Sequence, residues 1–284
     1  LDIKGSEMMG SETILILGGG GKTGRRVAER LSARGKDVRL ASRSTTPAFD
    51  WTDPSGWAAA LDGADAAYVS YQPDLAVPGA VEAIGTLCRL AAEKGVKHLV
   101  LLSGRGEDEA MAAEAALKQS GVGYTIISAS WFFQNFSEAF LLDGIQAGEL
   151  VLPVGDVKEP FIDADDIADV AVAALTEPGH KGKTYEVTGP RLMTFGEAVA
   201  EIARQTGRDI RFTTVGIGDY VAMLEQAQIP ADYIGLIRYL FTSVLDGRNE
   251  SLTDGVVQAL GRPPREFAEY VRETAATGVW EDLK

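Results

Sequence analysis

Four consecutive glycines at the end of a short β-branched run constrain this chain more than any other feature in it. The run is TILIL at 13–17, and the loop that follows is Gly18-Gly19-Gly20-Gly21-Lys22-Thr23-Gly24. Behind it, residues 23–34 carry a helical pattern, with Val27 and Leu31 on one face and Arg25, Arg26, Glu29 and Arg30 on the rest. Gly35 stops that helix, and 38–41 reads as a second strand. Strand, glycine loop, helix and strand make one βαβ unit of about 30 residues.

Two phosphate-binding loops compete for these glycines. A Walker A loop needs a glycine five positions ahead of Gly21-Lys22-Thr23, and that place holds Ile16, inside the strand. The dinucleotide pattern is met by Gly18, Gly21 and Gly24: the first permits the tight turn, the second lets backbone approach a pyrophosphate, and the third lets the helix pack close. Free amides around 22–24 then face the anion. Gly18, Gly20, Gly21, Lys22, Thr23 and Gly24 are therefore expected to bind a cofactor, with a purely structural glycine turn as the alternative.

The alternation continues. Strands are expected at 66–70, 98–102 and 124–128, and helices at 79–94 and 109–119. Single helices between strands imply a parallel sheet covered on both faces, so the fold class is α/β with a doubly wound parallel sheet. After about residue 130 the pattern loosens into an aromatic segment, a helix to about 146 and a Gly/Pro-rich stretch at 148–160. A helix at 163–175 and a strand at 184–187 follow, then helices at 195–205, 217–226, 231–241 and 267–275. The expected division is a nucleotide-binding domain at 12–150 and a smaller, mainly helical substrate-binding lobe at 151–284, with strands returning to the main domain. The lobe would cover the carboxyl ends of the strands. Residues 1–11 (LDIKGSEMMGS) read as a remnant ahead of the fold.

Composition narrows the partners. Of 284 residues, 27 are Lys or Arg and 41 Asp or Glu, a net charge of −14, which disfavours nucleic acid because phosphate neutralisation needs a basic surface. No run approaches the roughly 18 apolar residues of a membrane span. One cysteine, Cys88, and two histidines, His98 and His180, make neither a disulfide nor a zinc set, so no metal is expected and a reducing, cytoplasmic compartment is. What is left is a small-molecule substrate, handled by a monomer or a homodimer.

Which dinucleotide fits depends on the far end of the second strand. An acid about 20 residues after the glycines would bond the ribose hydroxyls of NAD, but Asp37 precedes that strand. Beyond it stand Ser42-Arg43-Ser44, a hydroxyl and a guanidinium suited to a 2′-phosphate. NADP(H) is expected over NAD(H), the alternative being that Arg43 is a solvated turn residue.

With these residues in view, the chain resembles the NmrA-like branch of the atypical short-chain dehydrogenase/reductases, which have a Rossmann fold. GGGGKTG at 18–24, ASRS at 41–44, FDW at 49–51 and LLSGRGE at 101–107 carry the likeness. SGVGYTIISASWFFQNF at 120–136, FIDADDIADVA at 161–171, YEVTGPRLMTFGEA at 185–198 and GRPPREFAEYV at 261–271 extend it. Within the branch it looks most like bacterial relatives of the ergot-alkaloid reductases, and it is also similar to NADPH-dependent quinone and azo reductases. The resemblance implies that the 18–24 loop holds the pyrophosphate and that Arg43 holds the 2′-phosphate. It places Ser70, Tyr71, Gln72 and Pro73 beside adenosine and nicotinamide, Ser103 beside the nicotinamide ribose, and the turn 131–135 at the pocket wall. One departure stands out. The Tyr-x-x-x-Lys acid of typical members is missing, the matching spacing being Glu114-x-x-x-Lys118, and no tyrosine lies between Tyr71 and Tyr124. The lysine found earlier on this helix in many members is missing too.

Hydride transfer asks mainly that a nicotinamide face be held against an acceptor, because the cofactor carries the difficult chemistry. Quinones, azo compounds, enones and cyclic imines or iminium ions thus stay accessible without the usual acid, and an NADPH-dependent reductase of such a small apolar acceptor is the expected function. A non-catalytic, redox-sensing NADP(H) regulator is the alternative. Ser103 and Tyr71 are the catalytic candidates; Ser42, Arg43, Ser70, Tyr71 and Ser103 join the glycine loop as cofactor-binding, and Tyr71, Trp131, Phe132 and Asn135 as substrate-binding. Phe133 and Phe136 are expected to pack inward, Glu114 and Lys118 to support an exposed helix face, and Cys88 to be inert core. His98 and His180 show no partner for a relay. Asp163, Asp165 and Asp166 crowd a helix start, where they cap amides.

Overall fold

The computed structural model describes residues 12–281; residues 1–11 lie outside them. The first half alternates strictly: β1 (Thr13–Leu17), α1 (Lys22–Ala33), β2 (Asp37–Ala41), α2 (Trp57–Leu61), β3 (Ala66–Val69), α3 (Ala80–Glu93), β4 (His98–Gly104), α4 (Asp108–Gln119) and β5 (Gly123–Ala129). Then come α5 (Leu142–Ala147), β6 (Glu149–Leu152), β7 (Lys158–Glu159), α6 (Ala164–Thr176), β8 (Lys183–Val187), β9 (Met193–Thr194), α7 (Phe195–Thr206) and β10 (Arg211–Thr214). The chain closes with α8 (Ile217–Gln226), α9 (Ala231–Tyr239), α10 (Gly255–Leu260) and α11 (Phe267–Ala275).

Six strands form one parallel sheet in the order β2-β1-β3-β4-β5-β8, a Rossmann-like doubly wound layer. The winding reverses between β1 and β3, which opens a crevice beyond their carboxyl ends. Residues of β1 alternate between faces as a pleated strand requires. Leu15 and Leu17 pack with Ile84, Leu87 and Leu117 of α3 and α4, while Ile14 and Ile16 pack with Val27 and Leu31 of α1 and Ile167 and Val170 of α6. Both faces are buried, as in other all-parallel sheets.

The aromatic and C-terminal segments build a separate core from Phe133, Phe136, Phe161, Phe195, Phe267 and Trp280. Helix α7 begins at a capping box, in which Thr194 accepts from the Glu197 amide and Glu197 accepts from the Thr194 amide. The stretch expected to be irregular, 148–160, contains β6, which pairs in parallel with β10, and β7, which pairs with β9. These strands have only four or two residues, too few to show a period among glycines and prolines.

Arginines on the polar face of α1 join the two regions. Arg26 meets Glu138 at 2.7 Å, and Arg25 pairs with the same carboxylate. Arg30 reaches Asp165 at 2.6 Å and Asp169 at 2.7 Å on α6. Arg262 adds a bond to the buried Asp166 at 2.7 Å. Among the described residues, no helix is long and apolar enough to cross a membrane.

Candidate functional site

The glycine loop leaves β1 through Gly18, whose φ of +84° is a left-handed conformation that glycine accepts and side chains resist. A side-chain carbon on Gly24 would lie 2.2 Å from the Gly18 carbonyl oxygen, so this third glycine lets the first turn of α1 close on the loop itself. Nothing would meet one on Gly20, whose face is open. Helix α1 starts with Gly21 in the capping position, no side-chain cap and no acid in its first turn. Its amino end therefore keeps its partial positive charge for a ligand, and an anionic pyrophosphate fits there. Lys22 sits beside it; burial, above all, lowers its ammonium pKa, with the Glu138 carboxylate opposing. The Thr23 hydroxyl accepts from buried Tyr68 at 2.8 Å, which orients it and leaves its own O–H free to donate.

This loop opens into a cleft of about 500 Å³ at the carboxyl ends of β1, β3, β4 and β5. Gly21, Lys22, Thr23, Ser70, Tyr71, Ser103, Trp131, Phe132 and Asn135 all line it, so widely separated expected residues do converge. Phe133 and Phe136 are buried inward, as expected. Ser42 and Arg43 lie outside the cleft, at the end of β2 next to the glycine loop, with Arg43 exposed. Tyr71 stands against Trp51 with ring centroids 4.7 Å apart, and desolvation raises its phenol pKa, which weakens it as an acid. The Trp51 indole donates to the Ser70 carbonyl at 3.2 Å, so residues from the FDW segment brace this wall.

One expectation is corrected. Glu114 is not on an exposed face: it is 7% exposed, takes a hydrogen bond from the Ser103 hydroxyl at 2.7 Å, and has Lys118 at 3.4 Å. The cause is register, because Ser103 shares a face of β4 with Leu101 and so points toward α4. His98 and His180 each have a hydrogen-bonded neighbour, but no relay joins the two rings. The His98 ring bonds the Thr125 hydroxyl at 2.9 Å, that hydroxyl donates to the His180 carbonyl at 2.7 Å, and the His180 ring meets the Tyr185 hydroxyl at 2.8 Å. Burial brings His98 down to about 4, so it is neutral, and it lies at the opposite end of β4 from the cleft. Near it is a second hollow of about 440 Å³ lined by Lys97 and His98, away from the glycine loop. Asp163 caps α6 through the Asp165 amide at 2.9 Å, and Cys88 is buried with its thiol pushed up to about 11. No cluster of His, Cys, Asp and Glu able to hold a metal occurs among the described residues.

Sequence reasoning missed three groups in the cleft. Ile229, Tyr233, Leu236, Ile237, Leu240 and Phe241 form an apolar wall from α9 and its flanks. Arg105, just past β4, donates to the carbonyls of Asn249 at 2.9 Å and Ser251 at 3.0 Å and pairs with Glu186, tying a lobe loop to the sheet. Asp74 and Glu107 also line the cleft. The signal for Arg105 and Glu107 was present: charged residues directly after an apolar strand, in the LLSGRGE segment.

A family model described as NAD(P)H-binding matches residues 18–178. Agroclavine dehydrogenase of Claviceps fusiformis is 30% identical, the match covering 94% of this chain and 98% of that protein. NAD(P)H azoreductase of Xenophilus azovorans is 28% identical, covering 93% and 98%. The solved structure of NmrA, a negative transcriptional regulator in complex with NADP, superposes with a TM-score of 0.71 at 16% identity over 94% of this chain and 96% of that one, a likeness of fold.

Proposed function

This chain belongs to the NAD(P)H-binding family and is an oxidoreductase; from that premise we propose that it is an NADPH-dependent reductase of a small, apolar, conjugated acceptor. One observation carries the reading: the uncapped amino end of α1 and the apolar wall of α9 open into the same cleft. Bound at the glycine loop, the dinucleotide would supply a hydride. Gly18, Gly20, Gly21 and Gly24 admit the pyrophosphate, Lys22 adds a cation, and Arg43 takes the 2′-phosphate as a bidentate partner. Ser70, Tyr71 and Ser103 flank the nicotinamide end. Trp131, Phe132 and Asn135 then face the acceptor together with Leu236 and Phe241, and the apolar lining excludes water from it.

The relatives support this class, since one is named for a dehydrogenase of agroclavine and another for an azo reductase. The test is NADPH consumption with a panel of quinones, azo dyes, enones and cyclic imines, alongside calorimetric titration of NADPH and NADH. Turnover of at least one acceptor well above the uncatalysed rate, with tighter binding of NADPH, is expected. Tight NADPH binding with no turnover would move the reading to a redox-responsive binder, the role favoured by the absence of tyrosine from α4.

A further inference from the structure

Reduction of an enone, azo bond or quinone consumes a proton as well as a hydride, and Tyr71 and Ser103 are poor sources of one. The Tyr71 phenol is made a weaker acid by burial, and the Ser103 hydroxyl is committed to Glu114. A different group stands at the carboxyl end of β4. The carboxyl of Glu107 lies directly over Gly104, where a side-chain carbon would come within 2.2 Å of Oε1 and 2.3 Å of Oε2, so only glycine leaves room for it. Glu107 is 7% exposed, lines the cleft, and its Oε2 has no hydrogen-bond partner among the described residues. Asp74, from the loop after β3, also lines the cleft and lies against Glu107, while its Oδ1 accepts from the Ala76 amide at 2.8 Å.

We infer that Asp74 and Glu107 share one proton and that Glu107 delivers it to the oxygen or nitrogen of the acceptor during reduction. The inference rests on the reductase reading of the cleft. For an enone, the hydride makes a C–H bond at the β-carbon and the π electrons move to oxygen. That oxygen takes the proton as the Glu107 O–H bond breaks; the carboxylate left behind, at the start of α4, is reprotonated by solvent. The reductant is a reduced nicotinamide dinucleotide.

The surroundings keep the pair singly ionised. Two carboxylates in contact, Glu107 buried and Asp74 half-buried, resist ionising together, and Glu109 of α4 adds a third acid nearby. Tyr239 of α9 faces the same acids and accepts from the Asp108 amide at 3.2 Å. Nearby cations are committed elsewhere: Arg105 to Glu186 and the lobe loop, and Arg248 to Asp246 at 2.9 Å and the Gly106 carbonyl at 3.1 Å. Burial, and then Asp74, push Glu107 well above the usual carboxylate range.

Glu107→Gln and Asp74→Asn keep shape and remove the acid. With Glu107→Gln, kcat for an enone should fall about a hundredfold or more, and at least about tenfold more than kcat for a cyclic iminium ion, which needs no proton. Asp74→Asn should move the alkaline limb of the enone pH profile to lower pH, and it keeps the question open to decision if Glu107→Gln fails to fold. Buried Glu159, raised to about 8 mainly by desolvation, also carries a proton at neutral pH, so the infrared readout is a difference: the ligand-free protein should show a protonated-carboxyl band that Glu107→Gln removes and Glu159→Gln leaves in place. Equal loss on both acceptors, unchanged enone turnover, or no such band would each overturn the proposal. The band is read without cofactor or acceptor; a chain that reduced nothing would sink the reductase reading and the delivery step, whereas a missing band alone would sink the shared proton.

Discussion

The floor and the roof of the cleft are built differently. Under it, Ile14 to Leu17 of β1 are all buried between two layers of helices. Over it, α9 has no fully buried residue, and Met223, Ile229 and Tyr233 leave apolar surface exposed around it. The floor presents backbone to a fixed ligand, a coenzyme. The roof presents half-buried side chains, so its shape depends on packing that a bound acceptor would complete. Local opening follows sparse apolar burial, so α9 should open more readily than β1, and under the proposed function it is the part that would adapt to the acceptor.

Stability measurements can break this comparison. Leu15→Ala should cost about 2–5 kcal/mol, as for other deletions in a close-packed core. Leu236→Ala in the roof should cost under about 1 kcal/mol, because the side chain is only half-buried. Equal costs in denaturant titration would mean that the roof is as well packed as the floor.

Ligand measurements sharpen it. Arg43→Ala should weaken NADPH binding by about 1.5–3 kcal/mol and leave NADH untouched, since the guanidinium is assigned to the phosphate that only the former carries. Gly24→Ala should cost about 1–3 kcal/mol of stability and abolish measurable coenzyme binding, because its methyl has no room beside Gly18. Leu236→Ala should change KM for the acceptor by up to about tenfold while coenzyme affinity holds, because the truncation strips one apolar side chain from the wall that faces the acceptor. An equal effect on both ligands would show the two walls to be energetically one.

The smallest effect concerns the seam between the regions. Arg26 and Arg25 hold the Glu138 carboxyl below its ordinary value of 4.5, against the opposing effect of burial. A depressed folded pKa gives stability that is present above the unfolded value and disappears as pH falls through the folded one. Glu138→Gln should therefore lower stability slightly at pH 7 and flatten its decline below about 4.5, as read by thermal unfolding across pH.

Long periodic elements were legible in advance. Helices α8 and α11 fall at the expected 217–226 and 267–275, and α6 is displaced from 163–175 by one residue, because apolar spacing and capping residues are local properties. The short strands β6, β7, β9 and β10 were not legible, since two to four residues show no period and their pairing is set by distant partners. In the cleft, the glycine loop and Trp131 could be placed from neighbouring residues alone. Glu114 could not: i,i+4 spacing with Lys118 suggests a surface pair, and its burial against Ser103 depends on which face of β4 meets α4.

The order of residues by itself determined the doubly wound layer, the glycine turn at its first strand and the aromatic turn after β5, because each follows from interactions within a few residues. Only the tertiary structure decided that α9 roofs the cleft, that α1 is pinned to α6 by arginines, and that Asp74 and Glu107 meet beside Gly104. Those outcomes depend on sheet order and helix placement, which bring together groups from different strands, and burial then sets the charge such groups can carry.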